Sequence, residues 1–444
     1  MRTCCQREQP QICLLVYLFT SLSVLYLLLS SQSAQSRPLG RFPANTLGQG
    51  HIQDAADRNW RNLSREDLAR LSKMGKRMIL DQDVGPPRNR NFTILIWRTS
   101  DKAKRHFIRR NGARELDPFE DCSVHNCQIT YEDSAAATAD AIYIHLHTTR
   151  GPSSFPARSS PQQIWIWHTD ESPLHTLPRA TIKNLKYYNG FFNWSMTYRM
   201  DSDVPVPYGR TIRLPEHEAA QRLENYFDAK PKLVAVMMSN CEMFSNSRIL
   251  YIKMLQRYIK VDFYGKCGTL TCPGHFETDC SVLSEYKFYL AFENSDCQEY
   301  ITEKVWWSAL GKAAVPVVMG AEAEYYEKVL PPGSFIHVDD FETPKDLAEH
   351  LKLLASDRRA YMRHHRWRRF FRIAQEHGFF GAPVYHYCRI CEALNYNDLS
   401  PKRSNAMEEY WSVGGQCQPP RWLARVGGRA LGGHGGHGRG SNFG

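Results

Sequence analysis

Between Phe92 and Ala355, short runs of β-branched and aromatic residues alternate with longer stretches of helical period, an order that demands parallel strands joined by helical crossovers. Strands are expected at Phe92–Trp97, Ala141–His147, Gln163–His168, Leu233–Met238, Val261–Tyr264, Phe288–Phe292, Ala314–Met319 and Phe335–Val338. Helices are expected at Glu216–Phe227, Arg248–Ile259, Glu299–Leu310, Glu322–Lys328 and Pro344–Ala355. The series divides after Pro205 and Pro207 into two successive α/β units, 91–225 and 226–400. In such sheets ligands bind beyond the carboxyl ends of the strands, so two units facing one another would enclose a cleft.

With 444 residues the chain has length for two ordinary domains and more. Gln9 to Ser36 carries no charge, and Ile12–Leu29 is almost wholly apolar. Eighteen residues at about 1.5 Å each span roughly 27 Å, near the thickness of a bilayer core. Small residues at Ser33, Ala34 and Ser36 leave a cleaved signal peptide open, but the length favours an uncleaved signal anchor at 12–31 behind a cytoplasmic tail, 1–11. Arg2 and Arg7 on one side and Arg37 and Arg41 on the other do not set its orientation. Residues 32–90 read as a stem with one helix near Arg65–Leu80. An extension, 401–444, ends in a Gly/His/Arg-rich tail from about 427 that cannot bury a core.

Either reading of the N-terminus sends the chain into the secretory pathway. Sequons at Asn62, Asn91 and Asn193 agree, as do the cysteines: of thirteen, Cys4, Cys5 and Cys13 precede or lie in the apolar segment, and ten follow it, an even number suited to pairing. A net charge of +10 would suit nucleic acid, membrane or an anionic substrate. No nucleic-acid motif is present, and the basic run Arg363–Arg372 (RHHRWRRFFR) reads as a solvated helix face.

The run Phe288–Gly320 (FYLAFENSDCQEYITEKVWWSALGKAAVPVVMG) is a strand, a polar turn, a helix and a second strand. Tyr300, Glu303 and Lys304 at i, i+3, i+4 would share one helix face. On spacing alone this is an ion pair on a solvated helix; at a strand end it is also where nucleotides bind.

This run resembles the signature of the α1,3/1,4-fucosyltransferases, glycosyltransferase family 10. The resemblance extends to QIWIWHTDESPLH (163–175), FNWSMTYRMDSDVPVPYG (192–209), MSNC and VDFYGKCG within 236–268, HVDDFETPKDLAEHL, and the C-x-x-C at Cys388 and Cys391, covering roughly Phe92 to Cys391. It implies two facing Rossmann-like domains (GT-B type), inverting transfer of L-fucose from GDP-fucose without a bound metal or other cofactor, and a type II Golgi membrane protein with a luminal catalytic domain. Carried over, Glu171 is the general base that takes the acceptor hydroxyl's proton, with Asp170 as fallback and His175 on the acceptor side. Arg248 and Lys304 are the cations facing the donor pyrophosphate. Asn240, Glu293, Asn294, Ser295, Tyr300 and Glu303 complete the donor pocket.

Cys241, Cys267 and the insert to Cys280 resemble the subgroup that fucosylates the N-glycan core, so the expected acceptor is a glycoprotein N-glycan. Lewis-type lactosamine antennae, and an inactive glycan-binding homologue, remain alternatives; a sulfotransferase would need a P-loop-like phosphate cradle, which is absent. Asp201-Ser202-Asp203 has the D-x-D form of manganese-dependent transferases, but here is expected to be structural or acceptor-side. Zinc at the C-x-x-C would need a second ligand pair that the sequence does not clearly offer, and a redox pair a different setting; the resemblance implies a structural disulfide there. Trp306 and Trp307 depart from the small and polar residues usual after ITEK, as core packing or as a narrower acceptor groove.

Overall fold

The computed structural model describes residues 61–425, apart from position 62 and the stretches 100–108, 112–113, 116, 120–121, 220–222, 242–246, 274–278 and 379–383. The apolar segment 12–31, the tail before it, most of the stem, Asn62 and the glycine-rich end therefore lie outside the described residues. No helix among the described residues is long and apolar enough to cross a membrane.

Where one stem helix was expected there are two, α1 (Arg65–Arg70) and α2 (Lys73–Leu80), because Ser72 restarts the helix by capping the Gly75 amide. Residues 61–90 are not a free spacer. Met74 and Met78 are buried, Lys73 Nζ donates to the Tyr396 carbonyl at 2.7 Å, and Arg88 donates to the Leu394 and Asn397 carbonyls at 2.8 and 2.7 Å. The stem boundary expected at 90 thus falls too late for this part of the chain.

The first sheet is built from β1 (Phe92–Ile96), β2 (Cys127–Thr130), β3 (Ala141–His145), β4 (Ile164–His168), β5 (Trp194–Thr197) and β6 (Val204–Pro205). Its order is β2-β1-β3-β4-β5-β6, parallel throughout. Every residue of β4, IWIWH, is buried, as expected of a parallel strand covered on both faces. Asn193, at the entry to β5, accepts from the Trp165 amide at 2.8 Å and donates to the Lys402 carbonyl, and Trp194 and Ser195 are buried. The Asn193 side chain is therefore engaged by the fold.

After β7 (Gly209–Arg213) the expected helix Glu216–Phe227 is replaced by a single 3-10 turn at Glu216–Glu218 and irregular chain among the described residues. Its charged residues supplied the helical propensity, but no apolar stripe gave such a helix a face to bury.

The second sheet takes β8 (Lys232–Met237), then, after α3 (Arg248–Leu255), β9 (Asp262–Tyr264), β10 (Tyr286–Phe292) and β11 (Val315–Met319); α4 (Ala323–Val329) precedes β12 (Ile336–His337), and α5 (Pro344–Ser356) follows it. The order is β9-β8-β10-β11-β12, again parallel. Ile249, Ile252 and Leu255 of α3 meet Leu347 and Leu351 of α5 in the core over this sheet.

The basic run is no solvated helix face. It passes from α6 (Arg358–Arg363) through a 3-10 turn into β13 (Phe371–Gln375), which pairs antiparallel with β7. His365, Trp367 and Phe371 are buried, and Arg368 donates to the Leu310 carbonyl at 2.7 Å while its guanidinium lies over the Trp367 ring.

The chain then returns to the first sheet. All eleven residues of α7 (His386–Tyr396) are buried, and Tyr387, Ile390 and Leu394 share a core with Phe92, Ile94 and Ile166. Residues 386–400 thus pack with the N-terminal sheet rather than the second one. Disulfides Cys122–Cys388 and Cys127–Cys391 staple that return, so each cysteine of the C-x-x-C pairs with the N-terminal half. Cys241–Cys267, Cys272–Cys280 and Cys297–Cys417 complete the pairing of all ten.

Trp306 resolves one open reading: it is 1% exposed, its indole N–H donates to the Ile301 carbonyl at 3.2 Å, and its ring fills the space above Gly209. A Cβ at Gly209 would collide with that ring. Gly209→Ala is expected to cost about 1–3 kcal/mol, read as a lower midpoint of denaturant unfolding; an unchanged midpoint would show the ring free to move.

Candidate active site

Glu293 directly follows β10 and is fully buried. Its carboxylate accepts from the Thr302 amide at 2.8 Å, from the Thr302 hydroxyl and from Lys304 Nζ at 3.0 Å. Lys304 also reaches Glu303 at 3.3 Å. Burial raises the Glu293 carboxyl, with Lys304 opposing that rise. At Lys304 burial works to lower the ammonium, but Glu293 and Glu303 outweigh it and hold the group charged. At Glu303 burial works upward and Lys304 downward, and the carboxyl ends below its usual range.

Arg248 opens α3 behind Ser247, whose φ of 56° turns the chain into the helix. The guanidinium is 4% exposed and donates to the Phe292 carbonyl at 2.9 Å and the Asn240 carbonyl at 3.2 Å. It thereby ties the ends of β8 and β10, and burial lowers its pKa. Asn240 has an exposed side chain and enters this network through its backbone.

Tyr300, Glu303 and Lys304 do not share an α-helical face. Gln298 and Glu299 form a turn, with Glu299 at φ 58°, Tyr300 to Thr302 follow without regular structure, and the helix that starts at Lys304 is of π type, Lys304–Ala309. The three side chains consequently separate. Glu303 and Lys304 join Glu293, whereas the Tyr300 hydroxyl donates to Glu171 Oε2 at 3.0 Å. Asn294 Nδ2 donates to the same oxygen at 3.2 Å, and the Ser295 hydroxyl donates to Asn294 Oδ1 at 2.9 Å. Burial, then Glu171, pushes the Tyr300 phenol well up, so it remains a donor.

Glu171 follows β4, and its amide is held by Thr169 Oγ1 at 3.2 Å. The structure therefore brings a half-buried carboxylate from the first sheet against the ends of the second, near the buried Arg248 and the partly buried Lys304. Such an arrangement can accept a proton on one side while fixed positive charge faces a polyanion on the other. His175 lies beyond, in the rim of a cavity of about 530 Å³ with Pro173, Leu174, Lys183, Trp411 and Val413.

Asp170, the fallback base, faces His168 and His386. Burial works to raise its carboxyl, but His168 and His386 hold it well below its usual range. Asp203 accepts from the Ser195 amide and hydroxyl at 2.8 and 2.9 Å, and Asp201 pairs with Arg199 and accepts from the Tyr410 hydroxyl at 2.8 Å. Both D-x-D carboxylates are thus tied within the fold.

Sequence reasoning missed Thr302, which saturates Glu293 with its amide and hydroxyl; the T of ITEK at a helix entry was the available signal. It also missed the histidines around Asp170, which come from four separate segments.

Residues 89–209 match the family model for the N-terminal fucosyltransferase domain, and residues 227–410 that for the C-terminal part of glycosyltransferase family 10 (fucosyltransferase). A glycoprotein 3-α-L-fucosyltransferase A of Drosophila melanogaster is 35% identical over 306 residues, covering 68% of this chain and 57% of that protein. A 4-galactosyl-N-acetylglucosaminide 3-α-L-fucosyltransferase of Pan troglodytes is 38% identical over 284 residues, 63% of this chain and 74% of that one. A solved α1,3-fucosyltransferase with GDP aligns over 72% of this chain and 95% of its own, with a TM-score of 0.42 and 15% identity. That last likeness is too distant to carry any residue assignment. The chain belongs to glycosyltransferase family 10, the fucosyltransferases. It spans little more than half the length of the Drosophila relative.

Proposed function

We propose that this chain transfers L-fucose from GDP-fucose in α1,3 linkage to N-acetylglucosamine of a glycoprotein glycan, with inversion at the anomeric carbon. The observation that carries the reading is the Glu171 carboxylate held by Tyr300 and Asn294, next to Glu293 with its Lys304 partner and to the Phe292 carbonyl that Arg248 holds. Glu171 takes the proton from the attacking acceptor hydroxyl. Arg248 and Lys304 face the pyrophosphate and offset the charge that grows on departing GDP, so no metal is required there. Glu303 contacts the nucleotide ribose, and Asn240 and Ser295 complete the donor pocket. The two parallel sheets act as facing Rossmann-like halves of GT-B type, with the acceptor entering over the His175 cavity.

The acceptor we infer is the N-glycan core. The Cys241–Cys267 and Cys272–Cys280 disulfides support it, since those cysteines carry the resemblance to the core-fucosylating subgroup, and the Drosophila relative acts, by its name, on glycoprotein. Lactosamine is the second reading, favoured by the name of the Pan relative. The apolar segment 12–31 supports a type II Golgi membrane protein with a luminal site.

The test is transfer of labelled fucose by the purified full chain, without added magnesium or manganese, to an N-glycan core acceptor and to a lactosamine acceptor. Product from the core acceptor alone is expected. Product from lactosamine alone would reassign the acceptor, and no product from either, with GDP-fucose still bound, would leave a glycan-binding homologue.

A further inference from the structure

The cavity of about 530 Å³ beyond Glu171 shares no lining residue with the donor pocket, yet both of its walls are tied to Glu171. One wall starts at the 3-10 turn Pro173–His175, two residues after Glu171, and carries Leu174 and His175. Lys183 stands at its exposed rim. The other wall carries Glu408, Trp411 and Val413, from the extension that begins at 401. Trp411 and Val413 lie past residue 410, where the match to the family model ends.

The extension is pinned beside the site. Cys297 is bonded to Cys417, Asp296–Cys297 pairs antiparallel with Cys417–Gln418, and the Gln298 amide donates to the Gln416 carbonyl at 2.8 Å. These residues directly follow Asn294 and Ser295. Trp411 is buried, and its indole N–H donates to the Thr176 hydroxyl at 2.8 Å, which joins the two walls. Its ring centroid lies 5.4 Å from that of Tyr198, and the Tyr198 centroid lies 5.0 Å from that of Tyr300, the donor to Glu171. A file of packed aromatic rings thus sets this wall relative to Glu171.

The lining decides the ligand class. His175 Nε2 and Glu408 Oε2 have no hydrogen-bond partner among the described residues, so both side chains keep hydrogen-bonding capacity that the fold does not use. Leu174, Trp411 and Val413 add aliphatic and indole surface. An anion would meet the Glu408 carboxylate, and a bare cation would leave the apolar surface unused. A few polar groups set among apolar walls suit a ligand with hydroxyls on its edge and C–H groups on its faces, which describes a pyranose ring.

We propose that this cavity is a subsite for an uncharged sugar ring of the acceptor glycan, beyond the ring that receives fucose; this rests on the transferase reading above. Glu408 and His175 take the hydroxyls of that ring, and Trp411, Leu174 and Val413 meet its faces. The extension thereby makes the enzyme selective for acceptor length, because binding of a remote ring is used to hold the attacking hydroxyl at Glu171.

The test takes whichever glycan the full wild-type chain fucosylates, N-glycan core or lactosamine. It compares kcat/KM on that glycan with kcat/KM on the same acceptor trimmed to the N-acetylglucosamine that receives fucose. The wild type is expected to favour the longer acceptor about a hundredfold. Val413→Trp, which fills the cavity from a side chain 43% exposed, and Glu408→Gln should each reduce that preference at least about tenfold, with KM for GDP-fucose within about twofold of wild type. A wild type indifferent to acceptor length overturns the proposal. So does a preference that survives in both variants, or a loss that falls equally on the two acceptors. Should the wild type fucosylate neither glycan, the transferase reading fails, and calorimetric binding of an N-glycan core glycopeptide decides the subsite alone. Binding that Val413→Trp weakens at least about tenfold sustains it, and binding that is absent or unchanged in the variant overturns it.

Discussion

Glu171→Gln is expected to lower kcat for fucosyl transfer about a thousandfold while GDP-fucose affinity stays within about twofold of wild type. Glutamine keeps the size of the side chain and an oxygen for the Tyr300 hydroxyl and Asn294 amide that now meet at Glu171 Oε2. The local structure should therefore survive. What disappears is the capacity to take a proton from the acceptor hydroxyl, a property that matters only once that hydroxyl attacks. Steady-state kinetics and calorimetric donor binding, measured on the same preparation, separate the two effects. A kcat within tenfold of wild type would move the base elsewhere. An equal loss of donor affinity would make Glu171 a donor contact instead.

Lys304→Met should damage both turnover and stability. Removing one of the two cations proposed to face the leaving group is expected to lower kcat about 10²- to 10³-fold. It also strips the fully buried Glu293 of its Lys304 ion pair, a loss of about 3–5 kcal/mol. The pH dependence follows from the sign of the Glu293 shift, which burial already raises with Lys304 present. Without Lys304 the folded pKa rises further above the unfolded value of about 4.3. A raised carboxyl destabilises the folded state increasingly as pH climbs from the unfolded pKa to the folded one. The deficit in Tm of the variant should thus shrink on going from about pH 7.5 to about pH 5. Adding Glu293→Gln should restore most of the stability and none of the turnover. A double variant no more stable than Lys304→Met would show that the pair is not what holds this corner together.

Much of the sheet framework was legible because parallel strands are buried on both faces and spell themselves out as apolar runs. IWIWH, YLAF and VPVV read as strands without context, and each is one. The helix entry at Lys304 was not legible: i, i+3, i+4 spacing looks the same whether a segment begins in α geometry or, as here, in a turn at Glu299 followed by a π-type helix. That difference decides which carboxylate Tyr300 meets. Nor could the run Arg363–Arg372 declare itself, since its arginines suggested water while Trp367 and Phe371 supplied the burial. Glu171 and Tyr300 stand 129 residues apart, and four histidines from distant segments meet at Asp170. Their meeting depends on tertiary folding, which one sequence does not show.

The two disulfides of the C-x-x-C close spans of 266 and 264 residues. On the ribosome this sets an order of events. Strands β1 to β6 emerge well before the helix that covers them, whose cysteines follow Cys122 and Cys127 by 266 and 264 residues. Until it arrives, Cys122 and Cys127 have no native partner and Phe92, Ile94 and Ile166 have no cover. The first sheet of this protein must therefore wait, exposed and reduced or transiently mispaired, while the chain runs on 264 residues from Cys127 to Cys391. Its yield in any host will be governed by the chaperones and disulfide isomerases that guard that interval.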